Sequence, residues 1–436
     1  MADFTFFGLA TKSKREMLVL VLAIVISYAF AILLNKKKSK LLLSVAIVVS
    51  AFPLLLDRIL AFTGDRFTSV KASLILPLGL AFYTMQIIAY IVDSYNGKIT
   101  PQHNIFKYAL FISFFPQIIQ GPIPRYEQLS SQLIEGHSFK EKNFMRGIQL
   151  ILWGMFLKMM IADRAGVVVD TIFNGYKAYK GLFILIAGTL YSVQLYTDFL
   201  SCVTLSKGMS ELLGIEIIDN FNHPYLADSV KDFWRRWHMS LSSWLKDYVY
   251  IPLGGNRKGR LFKYINLLIT FLVSGLWHGG GIKYIFWGFM HGIYQIVEDC
   301  IPVFGRKHTG SRKVIRIGFN CFLVMLAWII FRAQSLEIGL KMLKSMFSTF
   351  NPWIFFNGSI YTLGLGVREW GVLVLSIGVL LFVSKKQEDG IVWRDSFERA
   401  PLIVRWSIYI GVIVTIWIMG SYGYGYDAKD FIYGGF

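Results

Sequence analysis

Residues able to bind a metal or form a disulfide are scarce in this chain. The three cysteines, Cys202, Cys300 and Cys321, are far apart and form no CxxC pair. This argues against a disulfide framework and a cysteine-ligated zinc site, and predicts buried free thiols. Among the seven histidines, His278 and His291 lack the i, i+4 spacing of a helical zinc pair, and no acidic residue lies at ligand spacing. We therefore expect no metal site.

Signatures of soluble nucleotide-binding proteins and hydrolases are also absent. The chain has no GxSxG elbow, no P-loop and no GxGxxG. Only 17% of residues are charged, and 45 lysines and arginines outnumber 27 acidic residues, for a formal net charge of +18. No basic segment carries the interleaved aromatics of a base-stacking surface, so nucleic acid is not an expected partner. Cytoplasmic loops of membrane proteins collect lysine and arginine, which explains the charge better.

Apolar residues, in contrast, are abundant: they make up 55% of the chain, and the mean hydropathy is +0.51. The first long run, "MLVLVLAIVISYAFAILL" (17–34), has Ser27 and Tyr28 as its only polar residues. As a helix rising about 1.5 Å per residue it covers roughly 27 Å, close to the thickness of a bilayer core. No small-residue cleavage site follows, so we interpret it as a retained span rather than a signal peptide.

Ten such runs predict about ten to eleven transmembrane helices. None shows the alternation of a membrane-spanning β-barrel, so helices are expected throughout. A shorter run at 108–119 covers only about 18 Å as a helix and is predicted to be re-entrant. The expected fold class is an all-α polytopic protein of the lipid bilayer, with one membrane domain over residues 1–436. The ten runs are 17–34, 41–57, 74–93, 148–170, 182–205, 264–277, 282–299, 317–333, 370–384 and 406–420.

Basic loops predict the orientation of the spans. If "NKKKSK" (35–40) lies in the cytoplasm, dense clusters such as "GGNRKGRLFK" (254–263) share that face, as the positive-inside rule expects. "TKSKR" (11–15) is the exception, because it falls outside with the N-terminus. Alternation places these further segments in the cytoplasm: 94–107, 120–147, 206–263, 300–316 and 385–405.

The long segment 206–263 contains a predicted amphipathic helix. From Val230 to Tyr250, apolar residues recur at three- and four-residue steps with charged residues between them. Such a tryptophan-rich face suits the membrane interface or packing beneath the spans. The helix is expected to end at "PLGGN" (252–256), which supplies a proline and two glycines.

His278 follows the run 264–277, in "SGLWHGGG" (274–281). That run covers roughly 21 Å as a helix, less than a core of about 30 Å, so we expect HGGG to reverse the chain within the membrane. Irregular backbone at that depth needs an enclosed or water-lined space, and an ionisable group there is a functional candidate. A neutral imidazole accepts a proton near pH 7. The alternative is a structural histidine that holds the turn.

The other histidines have structural or interfacial interpretations beside any functional one. His238, in "FWRRWHMSLS" (233–242), is predicted to project from the amphipathic helix, either as an interfacial residue or as part of a site. His291 has glycines beside it that favour close helix packing, and is interpreted as structural. The remaining four are expected in solvated loops: His103, His137, His223 and His308.

Acidic residues near the spans are candidates for ion pairs. Asp198, in "QLYTDFLS" (194–201), either pairs with a basic residue or lines a cavity. Asp163 and Arg164, in "IADR" (161–164), are predicted to form a local ion pair at a helix end.

Two blocks carry a family resemblance. "NFNHPYLADSVKDFWRRWHMSLSSWLKDYVYIPLGGNRKG" (220–259) and "SGLWHGGGIKYIFWGFMHG" (274–292) resemble signatures of the membrane-bound O-acyltransferases (MBOAT), in the AlgI-like branch of alginate and cell-wall O-acetylation proteins. The chain departs from that branch at 198–208, "DFLSCVTLSKG" where AlgI-like chains read "DFSGYSDMAIG", and at "FIYGGF" (431–436), where they read "FIYFQF". Weaker matches follow in the family's order: 82–97, 114–129, 154–173, 327–337 and 431–436.

The resemblance implies a ring of helices around a central tunnel. It makes His278, in the WHG signature, the catalytic residue, and His238, in RWH, a second position near the cytoplasmic entrance for the donor. It implies no bound cofactor, since an acyl thioester such as acetyl-CoA is a substrate that arrives from the cytosol. The departure at 198–208 leaves Asp198 without a role carried over from the family.

The mechanism implied by the resemblance uses both sides of the membrane. Arg257, Lys258 and Arg260 are candidates to attract the donor's phosphates, although their charge also fits the positive-inside pattern. His278 is expected to act as general base on an acceptor hydroxyl from outside, while His238 orients or polarises the donor. The expected partners are an extracytoplasmic SGNH-type acetyltransferase or a polysaccharide acceptor, and the expected location is the bacterial plasma membrane.

Two other functions stay open. A DltB-like enzyme transfers D-alanine to teichoic acid from a carrier-protein thioester, although the "GGNRKG" loop (254–259) favours the AlgI type. A transporter or flippase also suits a tunnel, a basic inner face and a membrane histidine. Replacement of His278 separates these classes, because acyl transfer depends on a general base and transport need not.

Overall fold

A computed structural model describes residues 14–63, 77, 79–118, 120–301 and 309–422 of the chain. Over these residues the chain is helical and has no strand, which confirms the predicted all-α class. Three features singled out in the sequence lie outside the described residues: positions 11–13 of the N-terminal basic segment, His308, and the terminal "FIYGGF" (431–436).

The helices are numbered here in chain order over the described residues. They are α1 Lys14–Lys36, α2 Lys40–Phe62, α3 Leu80–Asn96, α4 Ile105–Ser113, α5 Phe115–Ile118, α6 Tyr126–Ile134, α7 Glu141–Phe156, α8 Asp163–Asn174, α9 Leu182–Leu212, α10 Val230–Arg236, α11 Met239–Leu245, α12 Arg260–His278, α13 Ile282–Cys300, α14 Gly310–Arg332, α15 Leu336–Ser348, α16 Val367–Glu388, α17 Trp393–Arg399 and α18 Leu402–Met419. Two π-helical segments add to these, Leu157–Ala162 and Lys246–Tyr250.

Eight of the described helical stretches are long and apolar enough to cross a bilayer. The first π-helical segment joins α7 and α8 into one of them, Glu141–Asn174. The other two predicted runs form α3, of 17 residues, and α13, of 19 residues, which do not combine the required length and hydropathy. The chain is a multi-pass membrane protein, but the predicted count of ten to eleven spans is not confirmed.

The segment predicted to be re-entrant forms short helices. Asn104 caps α4 by accepting hydrogen bonds from the backbone N–H groups of Phe106 and Lys107. The nine residues of α4 rise only about 13 Å, and the one-turn α5 follows after Phe114. Neither helix is long enough to cross a bilayer core of about 30 Å.

The prediction of a single amphipathic helix over 230–250 is wrong. The helix is interrupted between α10 and α11, where His238 takes a left-handed conformation with φ 44°. Asn220 holds the break: its backbone carbonyl accepts from the N–H of Met239 at 2.9 Å, and its side-chain oxygen accepts from the N–H of Ser240 at 2.9 Å. A residue outside the segment therefore satisfies backbone donors at the start of the second helix.

The tryptophans of this broken helix face the protein rather than the membrane interface. Trp234, Trp237 and Trp244 are 7%, 1% and 6% exposed. The indole N–H of Trp244 donates to the carbonyl of Met85 on α3 at 2.8 Å. Of the two locations that the sequence left open, packing beneath the spans is the one observed.

α12 and α13 form a tightly packed hairpin. A Cβ atom on Gly275 would lie 2.2 Å from the carbonyl oxygen of Tyr284, and one on Gly288 would lie 2.2 Å from that of Phe271. The two backbones are therefore in direct contact, which only glycine permits. This contact fixes the C-terminal end of α12, where His278 lies, against α13.

Buried apolar side chains form two clusters that meet at α12. The first is built largely on α8, α9, α10 and α14, and the second on α1, α3, α4 and α11. Phe271 of α12 belongs to the first cluster, whereas Trp277, less than two turns later, belongs to the second. We call the boundary formed by His238, Trp277 and His278 the histidine seam.

Candidate active site

His278 is the last residue of α12 and is 3% exposed. The helix has 19 residues and rises about 28 Å, slightly less than a core of about 30 Å, so its end short of the far surface stays a prediction. His278 also lies on the helix rather than on the turn, which starts at Gly279. The surrounding side chains enclose His278, as its low exposure shows.

A hydrogen bond sets the tautomer of His278. Its Nδ1–H donates to the carbonyl oxygen of Ser274, one turn earlier on α12, at 2.7 Å. Because a carbonyl only accepts, the proton lies on Nδ1 and the lone pair on Nε2. Nε2 of His278 is therefore a proton acceptor, which is the form that a general base requires.

His238 is fully buried and has the same tautomer for a different reason. Its Nδ1–H donates to Oδ1 of Asn220 at 3.3 Å. That atom is an oxygen, since it also accepts from the backbone N–H of Ser240. Nε2 is thus an acceptor, and no hydrogen-bond partner for it exists in the described part of the chain. Burial holds the pKa of His238 well below its ordinary value, so the ring is neutral.

The structure brings the two predicted site histidines together. The ring of Trp277 lies 4.7 Å from that of His278 and 5.9 Å from that of His238, centroid to centroid. The two imidazoles are close enough to interact electrostatically. On its other side His278 contacts the first cluster, through Trp287 at 4.9 Å and Phe331 at 5.5 Å. Both acceptor nitrogens therefore lie on the histidine seam.

A buried cation lies near His278 and was missed in the sequence. Arg58 of α2 is 6% exposed and donates to the carbonyl of Trp277 at 3.0 Å and to Asp57 at 2.5 Å. Its guanidinium is within electrostatic range of His278. The only signal was a charged pair, Asp57 and Arg58, at the end of an apolar run. A positive charge there favours developing negative charge beside the imidazole.

His291 lies beside the seam with the opposite tautomer. Its Nδ1 accepts from the indole N–H of Trp234 at 3.2 Å, and its side chain is fully buried. Its ring centroid lies 5.0 Å from that of Trp287, which also contacts His278. The predicted packing against glycines agrees with Gly292, which has Leu268 and Phe271 within 4 Å of its Cβ position.

The buried acidic residues pair with one lysine. Nζ of Lys158, in the π-helical segment, lies 2.7 Å from Oδ1 of Asp198 and 2.9 Å from Oδ1 of Asp163. Of the two interpretations left open for Asp198, pairing with a basic residue is the observed one. The predicted ion pair between Asp163 and Arg164 is wrong, because the Arg164 guanidinium donates to the backbone carbonyls of Met159, Met160 and Met419 instead.

A cavity of about 970 Å³ lies between α10, α12 and α13. Most of its lining residues fall in segments that the basic loops place in the cytoplasm. Its buried wall includes Trp234 and Phe271, whose rings contact His291. The acidic lining residues are Asp228, Asp232, Glu298 and Asp299. The basic lining residues are Lys231, Arg235, Arg236, Lys246, Lys263 and Lys313.

Four of these basic side chains form no salt bridge with the described residues. Arg236 pairs with Asp232 and Glu388, and Lys263 pairs with Asp299. The four without a salt bridge are Lys231, Arg235, Lys246 and Lys313, and all four are exposed. Sequence reasoning missed them because their separation along the chain gives no dense cluster.

The three predicted phosphate-binding residues are not on the cavity wall. Arg257, Lys258 and Arg260 are exposed, and only their neighbour Asn256 lines the cavity. Their role in donor binding stays a prediction. Among the described residues, no group of three or more histidine, cysteine or acidic side chains is placed to hold a metal ion.

Comparison with known proteins matches the chain to the MBOAT, membrane-bound O-acyltransferase family over residues 98–340, more than half its length. It is 38% identical over 284 residues to a probable alginate O-acetylase AlgI of Pseudomonas fluorescens, which covers 65% of this chain and 56% of that protein. It is 37% identical over 302 residues to the peptidoglycan O-acetyltransferase of Helicobacter pylori, covering 63% and 57%.

A more distant relative has a different named activity. The teichoic acid D-alanyltransferase of Bacillus subtilis is 28% identical over 302 residues, covering 64% of this chain and 75% of that protein. The chain spans little more than half the length of the alginate O-acetylase and the peptidoglycan O-acetyltransferase that it matches.

Proposed function

The chain belongs to the membrane-bound O-acyltransferase family, and we propose that it transfers an acyl group from a cytosolic thioester to a hydroxyl. One observation carries the proposal: the hydrogen bond from Nδ1 of the buried His278 to Ser274 makes its Nε2 the proton acceptor, where two packed clusters meet. Such a nitrogen suits general base catalysis better than packing alone. The acyl group is acetyl, by analogy with the names of the two relatives that are 37–38% identical.

The donor approaches through the charged cavity. Its exposed lysines and arginine supply positive charge without a salt bridge, which suits the phosphates of acetyl-CoA. Its buried wall, at Trp234 and Phe271, contacts the ring of His291. The thioester end of the donor therefore points from the cavity toward the histidine seam.

The chemistry at His278 is an acyl transfer with balanced proton movement. Nε2 of His278 takes the proton of the acceptor hydroxyl as its oxygen attacks the thioester carbonyl carbon. The carbon–sulfur bond then breaks, and the thiolate takes the proton back from the imidazolium. Arg58, within electrostatic range of His278, favours the negative charge that develops during the attack.

His238 has a positioning role in this scheme. As a neutral ring with an unprotonated Nε2, it accepts a hydrogen bond from a substrate N–H or O–H group and does not donate one to a carbonyl. Its role is therefore to orient a substrate. Polarisation of the thioester by His238 would require a second proton, which its burial disfavours.

The final acceptor is an extracytoplasmic polysaccharide, reached directly or through an SGNH-type acetyltransferase, and the protein resides in the bacterial plasma membrane. D-alanyl transfer from a carrier protein is the second candidate, supported by the 28% identity to a teichoic acid D-alanyltransferase. The third candidate is transport of an intact substrate, which would use the same cavity and would need no general base.

Everted membrane vesicles of the native host test the proposal. The cytosolic face is outside, so acetyl-CoA labelled with ¹⁴C in the acetyl group is added directly, and base-labile label in the lumenal polymer is counted. The wild-type chain is expected to transfer label. Replacement of His278 with alanine is expected to reduce the rate about 10²–10⁴-fold, because general base catalysis contributes that much.

The matched control is His103→Ala, since this histidine is exposed. It is expected to keep the wild-type rate. Full transfer by the His278→Ala protein contradicts the mechanism. Label incorporated from a D-alanyl carrier protein but not from acetyl-CoA favours the second candidate, and lumenal uptake of intact acetyl-CoA favours transport.

A further inference from the structure

Two buried N–H groups beside His278 have no acceptor in the described part of the chain. We propose that Nε1–H of Trp287 and Nε2–H of His291 bind the thioester carbonyl oxygen and hold it as the oxyanion when His278 activates the acceptor. This inference rests on the proposed acyl transfer. It gives a catalytic role to Trp287 and to His291, which the sequence pattern favoured as structural.

The donor character of His291 follows from its partner. Trp234 has only an N–H to offer through its indole, so Nδ1 of His291 must be the acceptor in their 3.2 Å hydrogen bond. A neutral imidazole then carries its single proton on Nε2. That Nε2–H is buried, and the described residues contain no acceptor for it.

Trp287 supplies the second donor. Its side chain is 0% exposed, and its Nε1–H likewise has no acceptor among the described residues. Its ring lies between the two imidazoles, with centroids 4.9 Å from that of His278 and 5.0 Å from that of His291. Buried N–H groups without an acceptor destabilise a fold, so two of them beside a candidate base call for an explanation.

The two N–H groups lie on the path proposed for the thioester. Trp234 and Phe271 form part of the buried wall of the cavity, and the rings of both contact His291. From the cavity the rings therefore follow one another as Trp234, His291, Trp287 and His278. A thioester that extends from the cavity reaches the two N–H groups before it reaches the base.

His238, the other histidine of the seam, cannot take this role. Its Nε2 carries a lone pair and repels a carbonyl oxygen. The seam thus offers two acceptor nitrogens, on His238 and His278, while Trp287 and His291 offer two donors. A hydroxyl and a carbonyl need this division of polar groups.

The step balances without an added reagent. The hydroxyl oxygen bonds to the carbonyl carbon, its proton moves to His278, and the carbonyl π pair moves to oxygen, where the two N–H groups stabilise it. The C=O bond then reforms, the C–S bond breaks, and the thiolate takes the proton from His278.

The experiment compares variants that keep the ring packing with the wild-type chain in the everted-vesicle assay. Trp287→Phe removes one N–H and keeps an aromatic ring. We expect kcat to fall about 10²–10³-fold, the loss typical of one oxyanion donor, with KM for acetyl-CoA within about twofold. His291→Phe is expected to show a similar fall, whereas His291→Gln, with one acceptor and N–H donors, recovers part of it. Trp244→Phe is the matched control, because its buried indole has a backbone partner.

A second measurement keeps the inference falsifiable if a variant is poorly active for another reason. Acetyl-CoA with a ¹³C carbonyl, bound to the His278→Ala protein, is expected to show a lowered C=O stretching frequency that Trp287→Phe partly reverses. Wild-type kcat in Trp287→Phe, or an unchanged frequency, overturns the oxyanion role alone, provided that wild-type transfer depends on His278. If the wild-type chain transfers no acetyl group, the proposed function fails instead.

Discussion

The charged cavity and the histidine seam are neighbours with opposite character. The cavity is lined by six basic and four acidic side chains, several of them exposed. The seam is closed: His238, Trp277 and His278 are 0%, 6% and 3% exposed and lie among aromatic rings. The buried wall of the cavity at Trp234 and Phe271 also belongs to the first apolar cluster, which packs against His278.

The contrast indicates a division of labour. Exposed charges act over distance, are screened by salt, and change how a phosphate-bearing donor binds. Buried lone pairs and N–H groups act only at contact, in a medium that strengthens each hydrogen bond, and change the chemical step. We therefore expect substitutions in the seam to lower kcat and substitutions in the cavity to raise KM.

The largest effect outside His278, Trp287 and His291 is expected at Asn220. Replacement by alanine removes the acceptor that fixes the tautomer of His238 and leaves the N–H of Ser240 without its partner. A buried polar group that loses its partner costs about 1–3 kcal/mol of stability, so the melting temperature is expected to fall. Because the proton of His238 is then no longer held on Nδ1, kcat is expected to fall about 10–100-fold, equivalent to roughly 1.4–2.7 kcal/mol of activation free energy. The measurement is kcat in everted vesicles together with the melting temperature of the purified protein. An unchanged kcat with a lowered melting temperature contradicts a role for the His238 tautomer.

A moderate effect is expected in the cavity. Lys231→Gln combined with Arg235→Gln removes two positive charges that make no salt bridge with the described residues. KM for acetyl-CoA is expected to rise about 3–10-fold, since each exposed contact contributes at most about 1 kcal/mol, and kcat should stay near its wild-type value. Steady-state kinetics at low and high salt check this, because screening should shrink the difference. A fall in kcat without a change in KM removes the division between the two regions.

The smallest effect is expected in the loop that the sequence singled out. Arg257→Gln combined with Lys258→Gln changes exposed residues that do not line the cavity. KM for acetyl-CoA is expected to change less than about twofold, because exposed charges that do not line the cavity are screened by salt and contribute little. The same assay measures it. A rise equal to that of the cavity variant restores the loop as the phosphate site.

Features carried by local sequence pattern were predicted well. Each of the ten apolar runs forms a helix over most of its described residues, because hydrophobic length is a property of the run itself. His278 and His238 were found from their motifs, forty residues apart, and the structure places both on the seam. The basic loops gave one face for most of the cavity lining.

Features that depend on distant partners were not predictable. The break at His238 is held by Asn220, and the tautomer of His291 is set by Trp234, 57 residues earlier. The pairing of Asp163 failed because adjacent helix residues point about 100° apart, whereas residues five apart align across a π-helical turn, as Lys158 and Asp163 do. None of these contacts can be recognised from the hydrophobic periodicity of the sequence.

The most direct test of general base catalysis by His278 separates donor binding from the chemical step. The wild-type and His278→Ala proteins, in lipid, are titrated with a non-hydrolysable thioether analogue of acetyl-CoA, and their kcat values are compared in everted vesicles. We predict that kcat falls at least about 10²-fold while Kd for the analogue stays within about twofold, because the cavity supplies most of the binding free energy for the donor. An equal loss in Kd, or a retained kcat, would contradict it.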